Sequence, residues 1–154
     1  MNAILIASDH AGFLLKEKLK IYLTNNRRLN VRDLGPYSSE RCDYPCFAAA
    51  LARDIALKKA SRGILICKSG IGNSIVANRF AGVRAALCYN QKAARLSREH
   101  NDSNVLVLGS GFVNAQAAKR IVSTWLTAEF QGGRHRRRLN LIQKIERQIR
   151  KDKL

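Results

Sequence analysis

The chain of 154 residues contains no apolar run close to the roughly 18 residues that a membrane-spanning helix needs. Its beginning lacks the charged start and small-residue cleavage site of a signal peptide, because the apolar segment 3–7 follows almost at once. We therefore expect a cytoplasmic protein without membrane contact. Internal repeats, linkers and low-complexity segments are also lacking, so residues 1–154 are expected to form a single domain.

The spacing of the cysteines argues against a metal site. The four cysteines are Cys42, Cys46, Cys67 and Cys88, and in a cytoplasmic protein they are expected to be reduced thiols. Cys42 and Cys46 have no second Cys or His pair at ligand spacing, whereas a structural zinc site needs four ligands. We expect no bound metal.

Acidic residues are few, with 11 Asp and Glu against 28 Lys and Arg, and the net charge is +17. A field of this size attracts nucleic acid and anionic metabolites alike, and it carries no information about the fold. No RNA-binding motif or interleaved aromatic pattern is present, so we expect nucleic acid to bind only non-specifically and in a salt-dependent way. A catalytically idle basic scaffold that binds nucleic acid stays open as an alternative.

What the sequence does contain is a regular alternation of strand and helix patterns. The predicted strands are 3–7, 31–34, 63–66, 83–88 and 104–108, and the predicted helices are 13–26, 47–60, 74–80, 91–99, 115–130 and 139–153. This alternation predicts a doubly wound five-stranded parallel sheet in a Rossmann-like three-layer α/β/α sandwich. The last, basic helix carries an apolar stripe (Leu139, Ile142, Ile145 and Ile149). The stripe must be buried either on the chain's own domain or on a partner subunit, and we expect the partner subunit.

In such a fold the binding site lies beyond the carboxyl ends of the strands. The segments expected there are 8–10, 67–73, 88–90 and 109–111. Cys67 ends an apolar strand and precedes a Gly-x-Gly turn, whose N–H groups suit an anionic ligand. The turn lacks the third glycine of a dinucleotide-binding loop and the Gly-Lys-Ser/Thr ending of a Walker loop. Taken alone, Cys67 at the end of an apolar strand is more typical of a buried core thiol.

Six segments, taken in their order along the chain, together resemble the sequence of a known family. They are Ser8-Asp9-His10-Ala11-Gly12, Ser39-Glu40-Arg41-Cys42-Asp43-Tyr44-Pro45, Cys67-Lys68-Ser69-Gly70-Ile71-Gly72, Asn78-Arg79-Phe80-Ala81-Gly82-Val83-Arg84-Ala85, Ser97-Arg98-Glu99-His100-Asn101-Asp102 and Gly132-Gly133-Arg134-His135. Over nearly its whole length the chain resembles the ribose-5-phosphate isomerase B family, which includes galactose-6-phosphate isomerase. The resemblance implies aldose–ketose isomerisation of a sugar phosphate through a cis-enediolate, without metal or cofactor.

The resemblance also implies roles for individual residues. Cys67 matches the family's general base, Ser69 a residue that assists the proton shuttle, and His100 the general acid that opens the furanose ring. The implied substrate-binding residues are Asp9, His10, Lys68, Ser69, Gly70, Ile71, Gly72, Asn101, Arg134 and Arg138. In this family the cysteine loop comes from one subunit, and the histidine and arginines come from the other. A homodimer or tetramer with shared active sites is therefore implied.

Two positions depart from the family pattern. Gly111 stands where relatives commonly have an arginine that contacts phosphate, and Lys68 stands where they usually have a small residue. We hypothesise that Lys68, or the general positive field, partly replaces this arginine.

The substrate is the other open question. Galactose-6-phosphate isomerase divides the catalytic cysteine and histidine between two different subunits, whereas this chain keeps both Cys67 and His100. This favours interconversion of ribose 5-phosphate and ribulose 5-phosphate, a step of the pentose phosphate pathway. A hexose 6-phosphate such as allose or galactose 6-phosphate stays open as the alternative substrate.

Overall fold

The computed structural model of the chain describes residues 3–152, which are organised around one five-stranded sheet. Its strands are β1 (Ile4–Ser8), β2 (Val31–Asp33), β3 (Arg62–Cys67), β4 (Ala85–Leu87) and β5 (Val105–Gly109). The spatial order is β2-β1-β3-β5-β4, and every neighbouring pair is parallel. The predicted parallel sheet is confirmed.

Six α-helices connect and flank these strands. They are α1 (Phe13–Ile21, extended by a π-helical turn at Tyr22–Asn26), α2 (Tyr44–Ala56), α3 (Ile71–Ala77), α4 (Gln91–Asn101), α5 (Ala115–Thr127) and α6 (Gly133–Lys151). Helices α1, α4 and α5 cover one face of the sheet, and α2 and α3 cover the other. The result is the predicted three-layer sandwich. No helix among residues 3–152 has the length and apolar character needed to cross a membrane.

The core is divided between the two faces by the alternation of side chains along each strand. In β3, Ile64 and Ile66 pack in the cluster that contains Trp125 of α5, whereas Leu65 packs in the cluster that contains Leu51 of α2. All five of these side chains are fully buried. Because helices cover both faces, the central strands are continuous apolar runs rather than alternating ones.

Several predicted boundaries were wrong by a few residues. Helix α2 begins at Tyr44 instead of residue 47, because Pro45 is accommodated in its first turn. Helix α3 begins at Ile71 instead of residue 74, because Gly70, with φ of +84°, turns the chain directly into the helix. Strand β4 is limited to three residues instead of the predicted 83–88, and it lies at the edge of the sheet with β5 as its neighbour.

The C-terminal helix differs most from its predicted extent of 139–153. It begins at Gly133, six residues before the predicted start, and residue 153 lies outside the described residues. Of its apolar stripe only Leu139 is buried, while Ile142, Ile145 and Ile149 are 43%, 58% and 43% exposed. The chain itself therefore covers only the beginning of the stripe.

Candidate active site

Cys67 is the last residue of β3 and lies at the carboxyl edge of the sheet. Its side chain is nearly buried, and its Sγ accepts a hydrogen bond of 3.1 Å from the backbone N–H of Gly70. The N–H of Ser110 donates to the Cys67 carbonyl at 2.8 Å, which fixes the strand end against the segment after β5. An N–H donor on the sulfur stabilises the thiolate, the nucleophilic and basic form of cysteine.

Two glycines allow the loop after Cys67 to turn this tightly. Gly70 has a left-handed backbone, and a Cβ built on it would lie 2.4 Å from Cδ1 of Leu87. A Cβ on Gly72 would lie 2.4 Å from Cζ of Tyr44. Neither position has room for a side chain, so the Gly-x-Gly spacing is a packing requirement of the loop beside the thiol.

Asp9 and His10 lie beside Cys67 because β1 and β3 are neighbours in the sheet. The N–H of Asp9 donates to the Ile66 carbonyl at 3.2 Å, and the Asp9 carboxylate accepts from the N–H of Gly12 at 2.9 Å. Nδ1 of His10 lies 3.0 Å from the carbonyl oxygen of Cys42. The structure thus brings Asp9, His10 and the cysteine loop together at one edge.

Lys68 occupies the space above Gly111. A Cβ built on Gly111 would lie 3.2 Å from Cε and 3.4 Å from Cδ of Lys68. The backbones of the two residues are also joined, since the N–H of Gly111 donates to the Lys68 carbonyl at 2.9 Å. A side chain at position 111 would have to displace the lysine, so the two departures from the family pattern meet at one place.

Three aromatic residues lie at this edge, and only Tyr89 was expected there from the sequence, as part of segment 88–90. The Tyr89 hydroxyl donates to the Ser69 carbonyl at 2.8 Å, and the Tyr89 ring lies 5.0 Å from that of Phe112, centroid to centroid. Tyr44 packs against Gly72, as described above. Phe112 comes one residue after the expected segment 109–111, which was an available signal. Tyr44 gave none, because it was assigned to a polar loop.

His100 lies in the last turn of α4 and stacks on His135 of α6. The ring centroids are 4.2 Å apart and the rings are within 8° of parallel. His135 is buried, and this burial, together with the charges of His100, Arg134 and Arg138, lowers the pKa of its imidazole. A neutral His135 ring therefore packs against His100.

The two groups of predicted site residues lie at opposite edges of the sheet. Helix α4 begins at Gln91, just beyond the carboxyl end of β4, and it runs back over roughly 15 Å to the amino ends of the strands. Its C-terminal residues, His100 and Asn101, lie there. Arg134 and Arg138 are near them, because the N–H of Gln131, just before α6, donates to the Glu99 carbonyl at 3.0 Å. One chain does not bring this group to Cys67.

The remaining thiols and acids suggest no second centre. Residues 3–152 contain no cluster of three or more His, Cys, Asp or Glu side chains that could hold a metal ion. Cys88 is buried, and burial raises its pKa to about 11, so it stays a thiol at neutral pH. Cys42 and Cys46 are unpaired.

A parallel α/β sheet with a thiol and a glycine turn at its carboxyl edge defines the class of α/β enzymes that act on small molecules. Within that class, the Ribose/Galactose Isomerase family model matches residues 4–142, and the chain belongs to this family. It is an isomerase.

Individual relatives agree with this assignment. The chain is 47% identical over 146 residues to ribose-5-phosphate isomerase B of Escherichia coli, covering 95% of this chain and 97% of that protein. The solved structure of Clostridium thermocellum ribose-5-phosphate isomerase B is similar with a TM-score of 0.92 and 46% identity, covering 95% and 98% of the two chains. The Mycoplasma genitalium enzyme, solved with bound ribulose-5-phosphate, has a TM-score of 0.89 and 42% identity, covering 94% and 96%.

Proposed function

We propose that this chain interconverts D-ribose 5-phosphate and D-ribulose 5-phosphate, a step of the pentose phosphate pathway. The observation that carries the proposal is the Cys67 thiol at the end of β3, with the Gly70 N–H on its sulfur. Membership of the family, and relatives named for ribose 5-phosphate, support a pentose phosphate over a hexose 6-phosphate. They equally favour an enzyme over a basic scaffold that binds nucleic acid.

The chemistry follows from the surroundings of the sulfur. The Cys67 thiolate removes the C2 proton of the open-chain aldose, and the resulting thiol returns a proton to C1 of the cis-enediolate. Within the 68–72 loop, backbone N–H groups other than those of Gly70 and Ile71 stabilise the negative charge on the enediolate oxygen, as an oxyanion hole does. The Ser69 hydroxyl accepts a hydrogen bond from the N–H of Ile71 at 3.2 Å, which holds it in this loop to assist proton transfer between the substrate oxygens.

Binding is divided between the two edges of the sheet. Asp9 and His10 contact the sugar beside Cys67, and Lys68 contributes a cation toward the phosphate in place of an arginine at position 111. His100 opens the furanose ring as a general acid. Asn101 contacts the substrate beside it, and Arg134 and Arg138 bind the phosphate with paired guanidinium N–H groups.

The separation of these groups supports an assembly with shared sites. His100 reaches the substrate at Cys67 only if a second copy supplies it, so we propose a homodimer, or a tetramer built from such dimers. The exposed part of the α6 stripe (Ile142, Ile145 and Ile149) offers apolar surface for the partner. Within this proposal residues 1–154 act as one cytoplasmic domain.

A coupled assay of ribose 5-phosphate turnover tests the reaction. The wild type should be active, and Cys67→Ala should abolish turnover. Cys88→Ala is the matched control, because Cys88 is also a buried thiol but packs in the core between the sheet and helices α1, α4 and α5, with Ala94 and Val113. Absence of wild-type turnover, or full activity of Cys67→Ala, would refute the proposed chemistry.

Mixing two inactive variants tests the shared site. Cys67→Ala and His100→Ala should each be inactive alone. After random exchange of subunits about half of the dimers are mixed, and each of these has one intact site of two, so about a quarter of wild-type activity should return. No recovery after verified exchange would show that each chain builds its own site.

A further inference from the structure

The last turn of α4, which carries His100 and Asn101, is held by two arginines that converge on Asp102. Arg98 donates to one carboxylate oxygen of Asp102 at 2.7 Å, and Arg84 donates to the other at 2.9 Å. Arg98 is almost fully buried and also donates to the Ser103 carbonyl at 2.7 Å. Each oxygen of the carboxylate is thus fixed by a different guanidinium group.

Arg84 also binds the backbone of this turn. Its Nε donates to the carbonyl oxygens of Asn101 at 3.0 Å and of Asp102 at 2.9 Å. The final carbonyl groups of a helix have no partner within the helix, and helix ends fray as a result. Arg84 supplies such a partner for the residue directly after His100.

The position of Arg84 is itself fixed from two sides. Its N–H donates to the side-chain oxygen of Asn104 at 2.7 Å, just before β5. The next residue, Ala85, donates to the side chain of Asn78 at 2.9 Å, and Asn78 caps the C-terminal end of α3. Arg84 therefore extends from a rigid base, which is what a side chain needs to position another element.

We propose that Arg84 and Asp102 are positioning residues for His100. They hold the turn of α4 so that the imidazole meets the sugar in the partner's site at a constant position, while His135 supports only one face of the ring. The inference rests on the proposed function, since it assumes that His100 acts in ring opening. It gives a role to two of the segments that carry the family resemblance, 78–85 and 97–102, whose arginines the reaction itself does not use.

Two variants separate positioning from charge and from folding. Arg84→Lys keeps the charge, but the single nitrogen of an ammonium group does not reproduce the rigid fork in which two nitrogens of Arg84 hold the carbonyl oxygens and the carboxylate. Asp102→Asn keeps a residue that tolerates the left-handed backbone of this position, where φ is 45°. Asp54→Asn is the matched control, because Asp54 also lies between two cations, with Lys59 at 3.1 Å and Arg32 at 3.7 Å, near the end of α2.

The readout must distinguish ring opening from proton transfer at carbon. Ribulose 5-phosphate is acyclic, because its C5 oxygen carries the phosphate, and its C1 hydrogen exchanges with D2O through the enediolate without any ring step. We expect both test variants to lower kcat/KM for ribose 5-phosphate by roughly 10- to 100-fold, the effect of misplacing a catalytic group by about 1 Å. Exchange at C1, followed by NMR, should stay close to wild type.

Each outcome has a separate meaning. A ratio of exchange to conversion that rises in Arg84→Lys and Asp102→Asn, but not in Asp54→Asn, supports the positioning role. If conversion and exchange fall together, or if Arg84→Lys matches Asp54→Asn, the positioning role is overturned and the proposed function still stands. If the wild type does not convert ribose 5-phosphate at all, it is the proposed function that fails.

Discussion

Gly70 provides the sharpest test of how the cysteine loop works. Its N–H is the donor to the Cys67 sulfur, and its backbone has φ of +84°. In Gly70→Ala the new Cβ would lie 2.4 Å from Leu87 and 3.2 Å from the Leu108 backbone. Gly82 is a matched control, because its φ is +81° and nothing lies within 4 Å of its built Cβ.

Gly70→Ala and Gly82→Ala share the cost of a left-handed backbone, and their free energies of unfolding should differ only by the steric contacts of the new Cβ. A left-handed backbone costs an alanine about 1–2 kcal/mol, so Gly82→Ala should lose that much free energy of unfolding. Overpacking adds about 1–3 kcal/mol, which gives a loss of roughly 2–5 kcal/mol for Gly70→Ala. Thermal unfolding at one fixed protein concentration measures the difference, at about 2–4 °C in Tm per kcal/mol.

Gly70→Ala and Gly82→Ala should also differ in catalytic activity. If the strain at Gly70 is relieved by moving the loop, the sulfur loses a hydrogen bond to a charged group, which is a contribution of about 1.5–3 kcal/mol. The kcat of Gly70→Ala should then fall roughly 10- to 100-fold, while Gly82→Ala keeps wild-type kcat. Equal stability of the two variants together with an unchanged kcat for Gly70→Ala would refute this account of the loop.

Two further predictions concern charge. Lys68→Ala should raise KM for ribose 5-phosphate roughly 10-fold with kcat little changed. Adding Gly111→Arg to that variant should restore KM. An unchanged KM for Lys68→Ala would mean that the lysine does not reach the phosphate. The pKa of His135 is lower in the folded chain than in the unfolded chain, where it is about 6.5. Neutral His135 therefore contributes its full share of the free energy of unfolding above about pH 6.5, and this contribution is lost as the pH falls below that value. The wild type should therefore lose more free energy of unfolding than His135→Phe between about pH 7.5 and 5.5 in denaturant titrations, and equal losses would contradict the assignment.

The local pattern predicted the parts of the fold that a single segment determines. The apolar run ending at Cys67 could be assigned to a buried strand because both of its faces are covered, and the polar residues after each strand then had to lie at one edge. This placed Asp9 and His10 near the thiol. The position of β5 between β3 and β4 was not predictable in this way, because it depends on which helices cover which face.

Other features depend on contacts between distant segments. Tyr44 lies on Gly72 only after α2 has packed on the sheet, so the polar surroundings of residue 44 suggested a loop. The first turn of α6 was missed because two glycines and a run of charged residues lack an apolar pattern. The role inferred for Arg84 is equally non-local, since its partners Asn101 and Asp102 are 17 and 18 residues away.

The sheet ends on both sides in a strand of only three residues. Strand β2 spans Val31–Asp33, with Arg32 exposed, and β4 spans Ala85–Leu87. Long, flat outer strands invite other chains to add to a sheet, and this is a common route to aggregation. Here an incoming strand would gain few backbone hydrogen bonds at either side and would meet a surplus of positive charge. The enzyme can therefore carry exposed isoleucines on α6 while giving little opportunity for uncontrolled growth of its sheet.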